Sequence, residues 1–217
     1  MIRCAHPGPG DAEGPFFARF LEGRRGEILD AALTVFAEKG YDAGTMREIA
    51  GRLGLTEPSL YRHYAGKEAI FEDLISAAGD HLISKLAPAL DTMSPSGLHA
   101  SLLMIIEMRR RHMPQGDGVK PMMRTLFTSA PHNPAFRAAF RTHLGEPMIA
   151  TLERFVPRVD AYFGISRSPE DTRSKVRAFV SLFVGYFMTG MMLDLPDDDA
   201  ATVDTLFAIM GWPTGAE

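Results

Sequence analysis

Apolar residues recur along this chain at spacings of three and four and nowhere alternate with polar ones, which is the period of amphipathic helices and not of strands. Ile28, Ala31, Ala32, Val35 and Phe36 mark a first helix over 24–39, ended by Gly40. The same period predicts helices over 45–53, 57–64, 67–87, 97–113, 119–129, 133–163, 169–194 and 199–211. Turn-forming runs separate them: DTMSPSG from Asp91, PQGDG from Pro114, APHNP from Ala130, GISRSP from Gly164 and LPDDD from Leu195. The pattern predicts an all-α fold with a small head over 24–68 and a larger body over 69–217. Residues 5–15 hold three Pro and three Gly without a hydrophobic period, so 1–23 is expected to be a flexible arm.

The stretch from Thr45 to Tyr64, TMREIAGRLGLTEPSLYRHY, carries the densest local instructions. Thr45 followed three residues later by Glu48 is a capping box, which starts a short helix. Met46, Ile49, Ala50 and Leu53 form the inner face of that helix, and Gly54 supplies a left-handed residue at its end. Thr56 then caps a second helix, in whose first turn Pro58 loses nothing by lacking an N–H. Two helices joined by a three-residue turn containing Gly is the geometry of the helix-turn-helix. Leu60 and Tyr64 face inward, leaving Thr56, Glu57, Ser59, Tyr61, Arg62 and His63 outward, a set able to bond phosphate oxygens or base edges. Lys67 opens the next helix, where its ammonium and the helix dipole would both favour a phosphate.

On FAEKGYDAGT, MREIAGRLGLTEPSLYRHY and GKEAIFEDL, the run from about Arg24 to Leu74 resembles the N-terminal domain of the tetracycline-repressor (TetR) family of transcriptional regulators. The resemblance covers about fifty residues. It implies a three-helix DNA-binding head on a helical ligand-binding and dimerisation body, with an operator released when a ligand binds. It implies phosphate contacts from Thr45, Tyr61, His63 and Lys67, and base or mixed contacts from Arg47, Thr56, Glu57, Pro58, Ser59 and Arg62. The residues that read bases vary within the family, so no operator sequence follows.

Past residue 75 the resemblance thins and local physics takes over. Methionines and aromatics concentrate in three predicted helices, among them Met104, Met108, Met123, Phe127, Phe179, Phe183 and Phe187. Each alone reads as ordinary core; together they fit an adaptable apolar pocket, and Met104, Met108, Met123, Phe127, Phe183 and Phe187 are the candidate ligand contacts. Helix 169–194 is apolar all round from Ala178, so it needs cover on two sides, its own domain and a second subunit. Ser181, Gly185 and Thr189 make a stripe of small side chains along it, suited equally to a partner helix or to packing within the chain. With Val203, Phe207 and Met210 of helix 199–211 they form the candidate homodimer interface.

Charge narrows the picture. The net charge is −4, and Lys plus Arg number nine against ten acidic residues in 1–68 and 14 against 17 in 69–217, so any DNA contact must be local and not a broad positive field. Arg109–Arg111 lie at a helix C-terminus, where cations complement the dipole. No run approaches the ~20 apolar residues of a membrane helix, and the N-terminus lacks a signal-peptide core, which points to the cytoplasm. One cysteine, Cys4, excludes an intramolecular disulfide, and seven histidines without HxxxH spacing give no metal site. No nucleophile elbow, phosphate loop or dinucleotide fingerprint is present, so neither an enzyme nor a cofactor is expected. Two alternatives stay open: a helical regulator controlled by a protein partner, and an all-α enzyme with dispersed catalytic residues.

Overall fold

The computed structural model describes residues 16–112, 133–193 and 198–214, with the backbone alone at 108–112, 187–188 and 190–193. Among the described residues the regular structure is entirely helical: α1 Arg24–Lys39, α2 Met46–Arg52, α3 Glu57–Tyr61, α4 Lys67–Thr92, α5 Leu98–His112, α6 Pro134–Phe140, α7 Glu146–Tyr162, α8 Pro169–Leu193 and α9 Asp199–Met210. They form two compact units, a head of 16–79 with 133–143 and a body of 80–110, 144–193 and 198–214. The helix expected over 119–129 lies outside the described residues.

The head has one apolar core built from Ile28, Leu29, Val35, Phe36, Ile49, Leu60, Ile70, Phe71 and Leu74, all essentially inaccessible. It is larger than expected at both ends of its sequence. Residues 16–21 are not part of a free arm: Phe17 is fully buried, and a short 3-10 turn, Phe17–Arg19, packs on α1. Asp30 accepts the N–H groups of Phe17 and Ala18, both at 2.8 Å, and Gly26 lets the turn lie close, since a Cβ there would stand 2.9 Å from the Ala18 Cα. The head also takes in α6. Phe136, 2% exposed, stacks on Phe71 with ring centroids 3.6 Å apart and meets Tyr41 edge-on at 4.2 Å.

The body packs α7 and α9 on α8 around Leu98, Ile106, Val156, Val159, Val176, Val203 and Phe207. In the head α3 stops at Tyr61 instead of 64, and two longer helices also differ from expectation. α4 runs past Pro88 to Thr92 instead of ending at 87. Leu90 is buried, and Arg158 donates to the carbonyls of Leu90, Asp91 (2.6 Å) and Met93 (2.6 Å), so the helix end is both apolar and satisfied. The single helix expected over 133–163 is divided into α6 and α7 by a π-helical turn, Arg141–Gly145, beside Pro147, which cannot donate to the preceding turn.

Candidate nucleic-acid interface and ligand cavity

In the head, the caps written in the sequence set the geometry of α2 and α3. The Thr45 hydroxyl accepts the Glu48 N–H at 3.3 Å while the Glu48 carboxylate accepts the Thr45 N–H at 3.1 Å. That carboxylate is also paired with Lys39, and these bonds hold its pKa below the ordinary glutamate value. Gly54, at φ +64°, turns the chain so that Leu55 N–H reaches the Ala50 carbonyl at 2.9 Å, the 6→1 bond of a Schellman stop. Thr56 then caps α3 by accepting from Ser59 N–H at 3.4 Å.

Side-chain bonds sort the cations of the head. Arg24 pairs with Glu27, Arg25 with Asp73, Lys39 with Glu48 and Arg52 with Glu38. Arg47 and Arg62 have no carboxylate partner among the described residues. Arg62 instead donates to the Ser59 hydroxyl at 3.1 Å, and that hydroxyl is 2.9 Å from the Thr56 hydroxyl. The guanidinium is thereby held beside α3 by a two-step relay, its remaining donors available. Tyr61, Arg62 and His63 are exposed, Tyr61 by 49%. Thr56 and Pro58 are exposed and Glu57 and Ser59 half-buried, so each member of the outward set predicted from the sequence is at least partly accessible.

Two of the residues expected to contact phosphate are otherwise engaged. The Lys67 ammonium donates to the carbonyls of Tyr41 and Asp42, both at 3.0 Å, and Gly44 at 3.3 Å, and sits 4.6 Å from the Tyr41 ring centre. An ammonium has three donors, and all three are used. Lys67 is therefore a brace for the α1–α2 turn and not a free phosphate cation. The Thr45 hydroxyl is likewise committed, 3.0 Å from Glu48. A second brace joins α1 to α4: Asp73 accepts from Arg25 at 2.5 and 2.9 Å and from the Tyr64 hydroxyl at 2.5 Å. Burial alone would raise the Asp73 pKa, but the bonds from Arg25 and Tyr64 outweigh it and hold the carboxylate below its ordinary value.

In the body, a cavity of about 130 Å³ opens between α4, α5, α7 and α8, and among the described residues no polar surface faces it. Leu86, Leu90, Leu98, Leu102, Phe155, Val176, Phe179, Phe183, Met210 and Trp212 are among its walls. Of the six residues expected to line it, Phe183 does. Met104 is 60% exposed on the outer face of α5 and does not line it, while Met108, Met123, Phe127 and Phe187 lie outside the described side chains. The walls come from the ordinary inner stripes of each helix, such as Val176, Phe179, Val180 and Phe183 at helical spacing on α8. That periodicity was a usable signal, and methionines do line the cavity, though Met93, Met148 and Met210 and not the exposed Met104.

The residues expected at a dimer interface divide. Ser181 and Thr189 are exposed on α8, and a Cβ added at Gly185 between them would meet nothing within 4 Å. Val203, Phe207 and Met210 are at most 1% exposed in the single chain, which corrects their assignment: the inner stripe of α9 is spent on the body's own core. The side of α9 left outward carries Ala201, Asp204, Thr205 and Ala208. Among the described residues no group of three potential metal ligands is assembled, and no helix is long and apolar enough to cross a membrane.

Residues 28–74 match the family model described as bacterial regulatory proteins, tetR family. The chain is 37% identical over 86 residues to the HTH-type transcriptional activator FasR of Mycolicibacterium smegmatis, a stretch covering 40% of this chain and 38% of that one. It is 38% identical over 72 residues to the HTH-type transcriptional repressor KstR2 of Mycobacterium tuberculosis, covering 33% and 36%. These similarities thus span little more than a third of each curated relative. The fold extends further: the transcriptional regulator FadR of Bacillus subtilis, solved in complex with stearoyl-CoA, superposes with a TM-score of 0.67 at 17% identity over 85% of this chain and 96% of that one. Residues 28–74 thus resemble the tetR family of bacterial regulatory proteins, and the chain has the fold of a solved transcriptional regulator.

Proposed function

We propose that this protein is a ligand-responsive transcriptional regulator: the head binds a palindromic operator, and a small apolar molecule in the body cavity changes that affinity, most simply as a repressor released by the ligand. The observation that carries the reading is the coincidence of the tetR-family match with an accessible surface on which Arg47, Tyr61, Arg62 and His63 stand clear of the paired cations. Thr56, Glu57, Pro58 and Ser59 complete that surface, and Lys67 and Thr45 support it by fixing the turns. The matched relatives are transcriptional regulators, which favours this role over catalysis, and such a role places the protein in the cytoplasm. The all-apolar cavity favours a small molecule over a protein as the effector. α4 runs through residues of both units, so it is the proposed route by which occupancy of the cavity would reach the head.

The operator reading requires two heads, and the outward faces of α8 and α9 are the proposed two-fold contact. Gly185→Leu tests it, because a Cβ there would meet nothing within 4 Å among the described residues. Sedimentation should then show a folded monomer, and an intact dimer would place the contact elsewhere. The DNA reading itself is tested by selecting genomic fragments on the purified protein. Recovery of an inverted repeat with half-sites roughly 34–36 Å apart is expected, and recovery of no preferred sequence would refute it.

A further inference from the structure

The turn that follows α9 forms part of the cavity wall, through Met210 and Trp212, and it is held in an unusual way. The Trp212 N–H donates to the Phe207 carbonyl at 2.9 Å, and the indole stands edge-on to the Phe207 ring, centroids 5.5 Å apart. Behind the indole lies a buried ion pair. The indole N–H donates to Asp160 at 2.7 Å, Arg167 holds both carboxylate oxygens at 2.7 and 2.8 Å, and Arg167 also donates to the Met210 carbonyl at 2.5 Å. The side chains of Arg167 and Asp160 are 4% and 5% exposed. A further Arg167 nitrogen lies 3.6 Å from Asp171, and among the described residues no polar surface of this assembly faces the cavity.

A buried pair of this kind contributes little net stability, because desolvation offsets most of the attraction; what it fixes is one position of its neighbours. The neighbour fixed here is the cavity wall. We propose that the Asp160–Arg167 pair is a latch that sets Trp212 as the end wall of the ligand site, limiting the occupant to an uncharged apolar group of about one ring or a short alkyl chain. The size follows from the volume: about 130 Å³ is close to that of cavities that stay dry and take a single benzene, about 150 Å³. The chemistry follows from the lining, which offers no partner to a hydroxyl, amine or carboxylate, so any polar end of the ligand stays outside. This inference rests on the cavity being the ligand site, and it needs no DNA for its test.

The chain has one tryptophan, so its emission reports the wall directly. Full-length protein is titrated with primary alkanols of increasing length, read by Trp212 fluorescence and by thermal shift. Affinity should rise about fourfold per added methylene, then stop rising at a cutoff length. The matching α,ω-diols, which must bury one hydroxyl, should bind about tenfold more weakly. Trp212→Leu, read by thermal shift, should move the cutoff about two carbons longer, with Trp212→Phe in its place if the leucine variant does not fold. Asp160→Leu/Arg167→Met removes the pair without stranding a charge; it should fold, keep the indole, and still lose the sharp cutoff. A merely structural pair would weaken all alkanols alike and leave the cutoff where it was, which would overturn the latch while leaving the ligand site standing. Wild-type protein that binds no alkanol would overturn both.

Discussion

The two units solve opposite problems with the same secondary structure. In the head, polar side chains are spent on fixing backbone: Thr45 and Glu48 start α2, Thr56 starts α3, Lys67 holds three carbonyls of the α1–α2 turn, and Asp73 ties α1 to α4. In the body, the polar bonds lie behind the walls of a space that no polar atom faces. On the proposed function, the unit that presents Arg62 is over-determined and the unit that admits a small molecule is left with room. The head's surviving freedom is at its surface and the body's is at its centre, which is the division expected of a reader of DNA joined to a sensor of ligand.

The largest predicted effect breaks the head's aromatic core from outside its contiguous sequence. Phe136→Ala should destabilise the head by about 3–5 kcal/mol, the usual result of emptying a buried aromatic site, measured by denaturant unfolding. If that variant unfolds like the wild type, α6 does not belong to the head. Lys67→Met should cost about 1.5–3 kcal/mol, because three carbonyls lose a charged donor. It should weaken DNA binding without changing its salt dependence, whereas a true phosphate contact would lower the salt slope by about one.

Arg62→Ala should relax preference at one operator base pair by about 1–3 kcal/mol, the discrimination of a bidentate contact, seen in competition binding with single-base variants. Ser59→Ala should weaken the same preference less, since it removes only the hydroxyl that positions the guanidinium. The smallest effect is in acid. The Asp73 pKa is lowered on folding, so its contribution to stability is complete above the unfolded carboxylate value, about 4, and is lost as pH falls through the folded one. Asp73→Asn should therefore flatten the acid limb of the stability profile below about pH 4 while lowering stability at pH 7.

The head was legible because its instructions are local. A capping box, a left-handed Gly54 and a Thr56 cap are each defined within four residues, and each is present in the structure as written. What the sequence hid was tertiary: the docking of Phe17 against α1, just after a sequence rich in Pro and Gly, and the insertion of Phe136 from more than sixty residues past Phe71. Lys67 shows the limit even within a motif, because residue type and position fit a phosphate while only coordinates reveal three carbonyls in reach. In the body, periodicity gives helices and inner faces but not the shape of the space between them. Val203, Phe207 and Met210 form a good apolar stripe, and nothing local says whether it meets the chain's own core or a partner.

In the proposed regulator, occupancy of the body cavity and affinity of the head for DNA are coupled. The direct measurement is fluorescence anisotropy of the selected inverted-repeat duplex, titrated with full-length protein in the absence and in the saturating presence of an alkanol shown by Trp212 emission to fill the cavity. Operator affinity should shift by at least about tenfold, equivalent to ~1.4 kcal/mol of coupling, and the shift should disappear when the cavity is blocked by a bulkier side chain at Val176. Identical operator affinity with the cavity empty and full would contradict it.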